Sequence, residues 1–331
     1  MAIQSTSPAR HTQLTETSPP IDASAFGHAG TQLHRPECVL TTASGTLYAS
    51  DKRGGVMRIS PDGSQALIGT SSLIPNGIAL QRNGSFLLAN LGEEGGVWHL
   101  DATGQIRPWL MDFEGQALPR VNYVTTDAQE RTWICVSATR TDDHYPVDAA
   151  TGYILLHDAS GVRCVADQIR YTNEVRITPD GKTLYVNETF GRCLTRFRLQ
   201  PDGTLTERSV LATFEAGDFP DGLALDAEGG VWVVCVGSNR VYRVLPNGTR
   251  QTIIDDAEPA CVAQLEQAFQ ARQLTRPMMV AARGRNLVNI TSLAFGGTDM
   301  CTAYMGSLDA NTLVTFRSPV AGQRPAHWVW G

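Results

Sequence analysis

"FPDGLALDAEGGVWVVCVGSNRVYRVLPNG" occupies residues 219–248, and its reading decides the fold. Leu223-Ala224-Leu225 is a short apolar strand, residues 231–236 are an almost unbroken apolar run, and residues 240–245 alternate. Gly229-Gly230 and Asn247-Gly248 are turn dipeptides between and after them. One residue resists this reading. Asp221 puts a carboxylate at the mouth of an apolar strand, where a buried charge is costly.

The second half of this unit recurs along the chain, at residues 47–63, 87–104, 132–161, 184–203, 231–248 and 303–322. Adjacent copies start 40, 45, 52, 47 and 72 residues apart. A period of ~40–50 residues with three or four short strands per copy marks a β-propeller blade, whose small sheet buries its faces only by stacking on its neighbours. The chain therefore reads as an all-β, six-bladed β-propeller over residues 26–331. Residues 1–25 are rich in Ser, Thr and Pro and lack the apolar core of a signal peptide, so they read as a disordered N-terminal tail. The long last gap holds "EPACVAQLEQAFQARQLTRPMMVAARG" (258–284), whose Ala/Gln/Leu content predicts a short helical insert before the last blade. A second, polar insert, "TRTDDHYPVDAATG" (139–152), interrupts blade three.

Composition narrows the function. Of 331 residues 18% are charged and 42% hydrophobic, as in ordinary globular proteins, and the net charge is −6. There is no Lys/Arg block, which argues against nucleic acid and anionic membranes as partners. No apolar run approaches the roughly 20 residues of a membrane span. The seven cysteines have no paired or zinc-binding spacing and mostly sit in apolar runs. With the missing signal peptide, they predict a reducing, cytoplasmic setting.

Repetition also explains Asp221. The innermost strands align as "PECVLTT", "PNGIALQ", "VNYVTTD", "TNEVRIT", "PDGLALD" and "ITSLAFG". The residue in register with Asp221 is then Glu37, Asn76, Asn122, Asn173, Asp221 and Thr291 in turn. Equivalent positions of a propeller lie on a circle, so Glu37, Asn122, Asn173 and Asp221 are expected at one level of the channel mouth. Two carboxylates and two or three amide carbonyls form an all-oxygen set for one divalent cation, Ca²⁺ first, with Mn²⁺, Mg²⁺ or Zn²⁺ as alternatives. Asn76-Gly77 reads equally well as a plain turn.

The motifs "YTNEVRITPDGKTLYVNET" (171–189), "FPDGLALDAEGGVWV" (219–233) and "PECVLTTASGTLYASD" (36–51) resemble the senescence marker protein, gluconolactonase and luciferin-regenerating enzyme family. The resemblance covers roughly residues 33–320. It implies a six-bladed propeller with a divalent metal on Glu37, Asn173 and Asp221. Asn122 would be either a fourth ligand or a contact to substrate and water. Most members hydrolyse lactones, and some relatives hydrolyse phosphofluoridate esters. The chain departs from the family's sugar-lactone enzymes at "RVNYV". Arg120 and Asn122 match, but Tyr123 replaces an Asp, Val124 a Gly, and Arg140 an acidic residue expected nearby. Gluconolactone is therefore expected to be a poorer substrate than a less hydroxylated lactone.

The expected chemistry is lactone opening by metal-activated water, with Asp221 as ligand and base and with Arg120, Asn122 and Tyr123 on the substrate. Glu174 and Glu188 are the next candidate bases, Arg192 a residue near the mouth, and His144 a lid residue. Two other readings stand beside this one. One is a phosphotriester hydrolase at the same metal, and the other a non-enzymatic ligand-binding propeller with a structural calcium. The partner is a small-molecule lactone or ester in the leading reading, and oligomeric state is left open.

Overall fold

The computed structural model describes residues 18–137 and 143–330. Six four-stranded antiparallel sheets form the six blades. Their innermost strands are Val39–Thr41, Pro75–Leu80, Val121–Thr126, Thr172–Ile177, Phe219–Leu225 and Ile290–Gly296, the six segments aligned above. Each packs beside the next, and the sixth returns to the first, which closes the ring around a channel.

Burial follows the position of a strand in its blade. Val231–Val236 is covered on both faces and is buried at every position, which accounts for its continuous apolar run. The outermost strand of blade four, Leu205–Thr213, is mostly exposed. Two blades share an internal brace. Trp133 and Trp232 are fully buried, and each indole N–H donates to an aspartate six residues earlier, Asp127 and Asp226, at 2.9 Å. Arg131 and Arg243 complete these pairs at 2.7 and 2.6 Å, so the buried carboxylates are neutralised.

Ring closure uses a strand that the sequence does not announce. Gly27–Ala29 is the outermost strand of the last blade and pairs antiparallel with Leu313–Arg317, Gly27 opposite Thr315 and Ala29 opposite Leu313. Joining the two ends of the chain in one sheet removes the open edge of the ring. The expected tail reached residue 25, yet its last residues are anchored. Ile21 N–H donates to Ile253 O at 2.8 Å, and Asp22 caps the one-turn 3₁₀ helix Ala23–Ala25. Residues 1–17 lie outside the described residues.

The expected helical insert is two helices, α1 (Pro259–Gln270) and α2 (Arg276–Ala281), with Thr275 capping α2. They form a roof over one end of the channel together with the described part of the polar insert. Tyr145 N–H donates to Leu274 O at 3.0 Å, and Arg276 N–H to Asp143 O at 2.8 Å. The start of that insert, residues 139–142 with Arg140, lies outside the described residues. Arg192 latches the roof to the blades, pairing with Glu266 of α1 at 2.5 Å and covering the Phe269 ring at 4.0 Å. Among the described residues no helix is long and apolar enough to cross a membrane. All seven cysteines are free thiols, five of them buried.

Candidate metal centre at the channel mouth

Asp221-Gly222 and Asn76-Gly77 lie inside strands, not in turns. In each of blades two to six the innermost strand slips register at this point, between Pro75 and Ile78, Val121 and Tyr123, Thr172 and Val175, Pro220 and Leu223, and Ile290 and Leu293. A bulge breaks the strict alternation of side chains and re-aims one of them. Here it brings Asn76, Asn122, Asn173 and Asp221 to one cavity at the channel mouth. The glycines serve close approach. A Cβ on Gly77 would lie 2.7 Å from the Tyr123 Cα, and one on Gly222 2.6 Å from the Ser292 Cα.

Glu37, Asn76, Asn122, Asn173, Asp221 and Arg120 line this single cavity of about 560 Å³. The five polar ring residues are each no more than 6% exposed. Blade six contributes through Thr291 and Ser292, whose hydroxyls donate to Glu37 O at 2.9 and 2.5 Å and fix its backbone. Asn76 is a strut. Its Nδ2 donates to Glu37 Oε1 at 2.8 Å and to Asn122 O and Oδ1 at 2.9 and 3.2 Å, while its Oδ1 accepts from Arg35 at 2.7 Å. Asn173 Nδ2 donates to Thr189 Oγ1 at 3.0 Å, and Thr189 in turn donates to Pro220 O at 2.8 Å. That fixes the amide with its carbonyl oxygen as the free acceptor. Asn187 holds the Asp221 and Gly222 carbonyls at 3.0 and 3.2 Å.

Two oxygens of the ring, Glu37 Oε2 and Asn173 Oδ1, are buried with no hydrogen-bond partner among the described residues. Burial, then the neighbouring Glu37 and Glu174 carboxylates, hold the Asp221 carboxyl well above its ordinary range. Burial also raises Glu37, with Arg35 opposing. Unpaired acceptors and crowded carboxylates are what an oxygen-liganded cation would satisfy, so the residues present fit a hard divalent ion. No group of three or more His, Cys, Asp or Glu gathers among the described residues, and the ring's donors are two carboxylates and side-chain amides.

Several expected site residues are placed elsewhere. Tyr123 does not reach the mouth. Its ring points down the channel into a second cavity of about 250 Å³ at the far end, lined also by Arg176 and His327. Arg176 donates to the Tyr123 hydroxyl, lies 5.0 Å from its ring centroid and pairs with Glu174 at 2.9 Å. Glu174 also accepts the Leu223 N–H at 3.1 Å, so it is consumed by the fold. Glu188 is likewise engaged, by Thr195 at 2.7 Å and Arg208 at 2.9 Å. His144 is exposed and bridges to Thr275 in the roof.

The repeat pattern also missed residues. Arg35, Tyr145, Tyr171 and Arg276 line the mouth cavity; Tyr145 and Arg276 sit on the inserts, while Arg35 and Tyr171 stand two residues before Glu37 and Asn173, as Arg120 does before Asn122. Tyr145, Tyr171 and Phe190 pack with ring centroids 4.7 to 5.5 Å apart, which gives the cavity one aromatic wall.

The family model for the SMP-30/gluconolactonase/LRE-like region matches residues 88–265, more than half of the chain. The chain belongs to this family. It is 28% identical over 282 residues to a 6-deoxy-6-sulfogluconolactonase of Pseudomonas putida, covering 83% of this chain and 84% of that protein. It is 30% identical over 183 residues to regucalcin of Danio rerio, covering 53% and 51% of the two chains. Its fold matches the structure of a gluconolactonase of Xanthomonas campestris with a TM-score of 0.67 at 19% identity, over 88% and 89% of the chains.

Proposed function

We propose that this protein is a divalent-metal-dependent hydrolase that opens a lactone at the channel mouth. The observation that carries the reading is the gathering of Glu37, Asn122, Asn173, Asp221 and Arg120 on one cavity, with Glu37 Oε2 and Asn173 Oδ1 left as unpartnered acceptors. The relative named as a sulfogluconolactonase, aligned over 83% of the chain, supports the same class of reaction.

Glu37, Asn173 and Asp221 would hold the cation. Asn122 Oδ1 already accepts from Asn76 and keeps one lone pair for the cation or for substrate and water. A bound divalent ion, Ca²⁺ on this donor set, supplies Lewis-acid polarisation of the ester carbonyl and charge for the oxyanion. Asp221 takes the proton of the attacking water on a carboxylate oxygen and returns it to the alkoxide released when the ring opens. Arg120 donates to the substrate's carbonyl or a ring substituent. The Tyr145–Tyr171–Phe190 wall packs on the substrate and keeps bulk water out.

The test is a screen of aldonolactones, aromatic lactones and phosphotriesters with metal-stripped protein and protein restored with Ca²⁺, Mn²⁺, Mg²⁺ or Zn²⁺. Lactone turnover that returns with metal supports the reading. Similarity over 45% of the chain to human serum paraoxonase/arylesterase 1 is the reason to add aryl esters to the screen. Preference for a phosphotriester would move the activity to that class. Metal binding without any turnover would favour a ligand-binding propeller.

A further inference from the structure

The mouth cavity holds more cationic groups than a neutral lactone would use. Its lining carries Arg35, Lys52, Arg120 and Arg276 against Glu37, Asp143, Asp221 and Asp309. Asp309 is taken by Arg283 at 2.5 Å, and a divalent ion on Glu37 and Asp221 would neutralise those two. The loaded cavity is therefore left with surplus positive charge. Arg35 is occupied, since it donates to Asn76 at 2.7 Å and to Pro75 O at 3.4 Å.

Arg120 and Arg276 are different. Neither side chain has a hydrogen-bond or ion-pair partner among the described residues, and the Nε of each is buried and unpartnered. Arg131, Arg176, Arg192 and Arg243, which also face inward, are each paired with a carboxylate. Arg276 lies with its Cζ 5.9 Å from the Tyr145 ring, the Asp143 carboxylate acts on it from beyond ion-pair distance, and its backbone is fixed by the Asp143 carbonyl. Both line the mouth cavity together with Tyr171 and Asp221. Each is half-buried, and a guanidinium held there without a partner forgoes its strongest interaction, the paired hydrogen bond to a planar or tetrahedral oxyanion.

We propose that the substrate of this site is an anionic lactone, whose carboxylate, sulfonate or phosphate monoester is gripped by Arg276 from the roof and Arg120 from the ring wall while the ester carbonyl faces Glu37 and Asp221. The proposal rests on the lactonase reading for the reaction and adds the charge of the substrate. It assigns substrate choice to the roof, which both inserts build, and leaves the bond-breaking groups on the blades.

The experiment compares a γ-lactone with the same ring bearing a carboxylate or a sulfonate, using Ca²⁺-loaded full-length protein. Wild type should favour the anionic member in kcat/KM by roughly ten- to hundredfold, as for one charge-assisted hydrogen-bonding group. Arg276→Gln should bring that ratio toward one, mainly through KM for the anionic member. Arg276→Lys should retain part of it. Arg272→Gln, which removes an ion pair to Asp148 on the outside of the roof, should keep the ratio. No preference in wild type, or a preference that survives Arg276→Gln, overturns the proposal. If neither lactone is hydrolysed, the reaction assignment fails, and calorimetry with a non-hydrolysable cyclic ether, with and without a sulfonate, decides the anion site separately. Sulfonate-dependent binding that Arg276→Gln abolishes would sustain it, and equal binding of the two ethers would overturn it.

Discussion

The two ends of the channel are built by neighbouring residues and could hardly differ more in how their polar groups are satisfied. At the bulges of blades three and four one residue faces the mouth and the next faces down the channel. Asn122 and Asn173 go to the mouth cavity, Tyr123 and Glu174 to the buried stack on Arg176. Below, the Glu174 carboxylate, Arg176 guanidinium and Tyr123 phenol satisfy one another, as a folded interior requires, and the unpartnered atom among the described residues is the His327 Nε2 rather than a carboxylate. Above, Glu37 Oε2 and Asn173 Oδ1 are unpartnered and two carboxylates crowd together. A polar cluster that completes itself supports the fold. One left incomplete by the same strands marks a place for something the chain does not supply.

Substitutions should separate the two ends. Asp221→Asn retains a carbonyl oxygen for the cation and removes the proton acceptor, so turnover should fall about 10²–10⁴-fold even at saturating metal. Recovery of near wild-type turnover at high metal would reduce Asp221 to a ligand. Arg176→Met at the other end leaves Glu174 buried without its cation, and breaking such a pair typically costs about 3–5 kcal/mol. Urea denaturation should show that loss, with Ca²⁺ affinity of the folded fraction changed far less. If the affinity falls in step, the two ends are one unit. Glu37→Gln should weaken metal binding by at least the roughly 10–100-fold typical of changes around a metal site, and excess metal should restore part of the turnover.

A smaller effect concerns pH in the metal-stripped protein. Glu37 and Asp221 are raised in the folded state, to about 7 for Glu37, so the unfolded chain releases these protons first. Their contribution to stability is complete at low pH and is lost as pH rises through the folded values. The Tm of stripped wild type should therefore fall by a few degrees relative to that of stripped Asp221→Asn as pH rises from about 4.5 through about 7. His327, which burial and then Arg176 push down to about 4, acts in the opposite sense over part of the same range, but equally in both proteins, so the difference between them carries the test. A Tm difference that does not change over this window would contradict the assignment.

Much of this was legible in the chain because it is written six times. Repetition gave the blades, the channel axis and the ring register without knowledge of any contact. The bulges were not legible, because an Asn-Gly or Asp-Gly pair looks the same in a turn and in a strand. Tyr123 was misplaced because it stands where the resembled sugar-lactone enzymes carry an Asp, while the bulge at Val121–Tyr123 sends its ring the other way. Gly27–Ala29 carries no strand pattern, and its pairing comes from the last blade across nearly the whole chain. Arg276 escaped because it sits on an insert, where a register offers nothing to compare, and Arg35 because the comparison stopped at the ring position two residues after it.

The central claim is that the mouth ring binds one divalent cation that the reaction needs. Calorimetric titration of Ca²⁺ into metal-stripped protein, with lactone turnover followed in the same titration, tests it most directly. One site per chain is expected, with turnover that rises with its occupancy and loss of both in a Glu37→Ala, Asp221→Ala double variant that retains its far-UV signature and cooperative unfolding. Binding of Ca²⁺ that survives the double substitution, or lactone turnover that does not depend on occupancy, would contradict it.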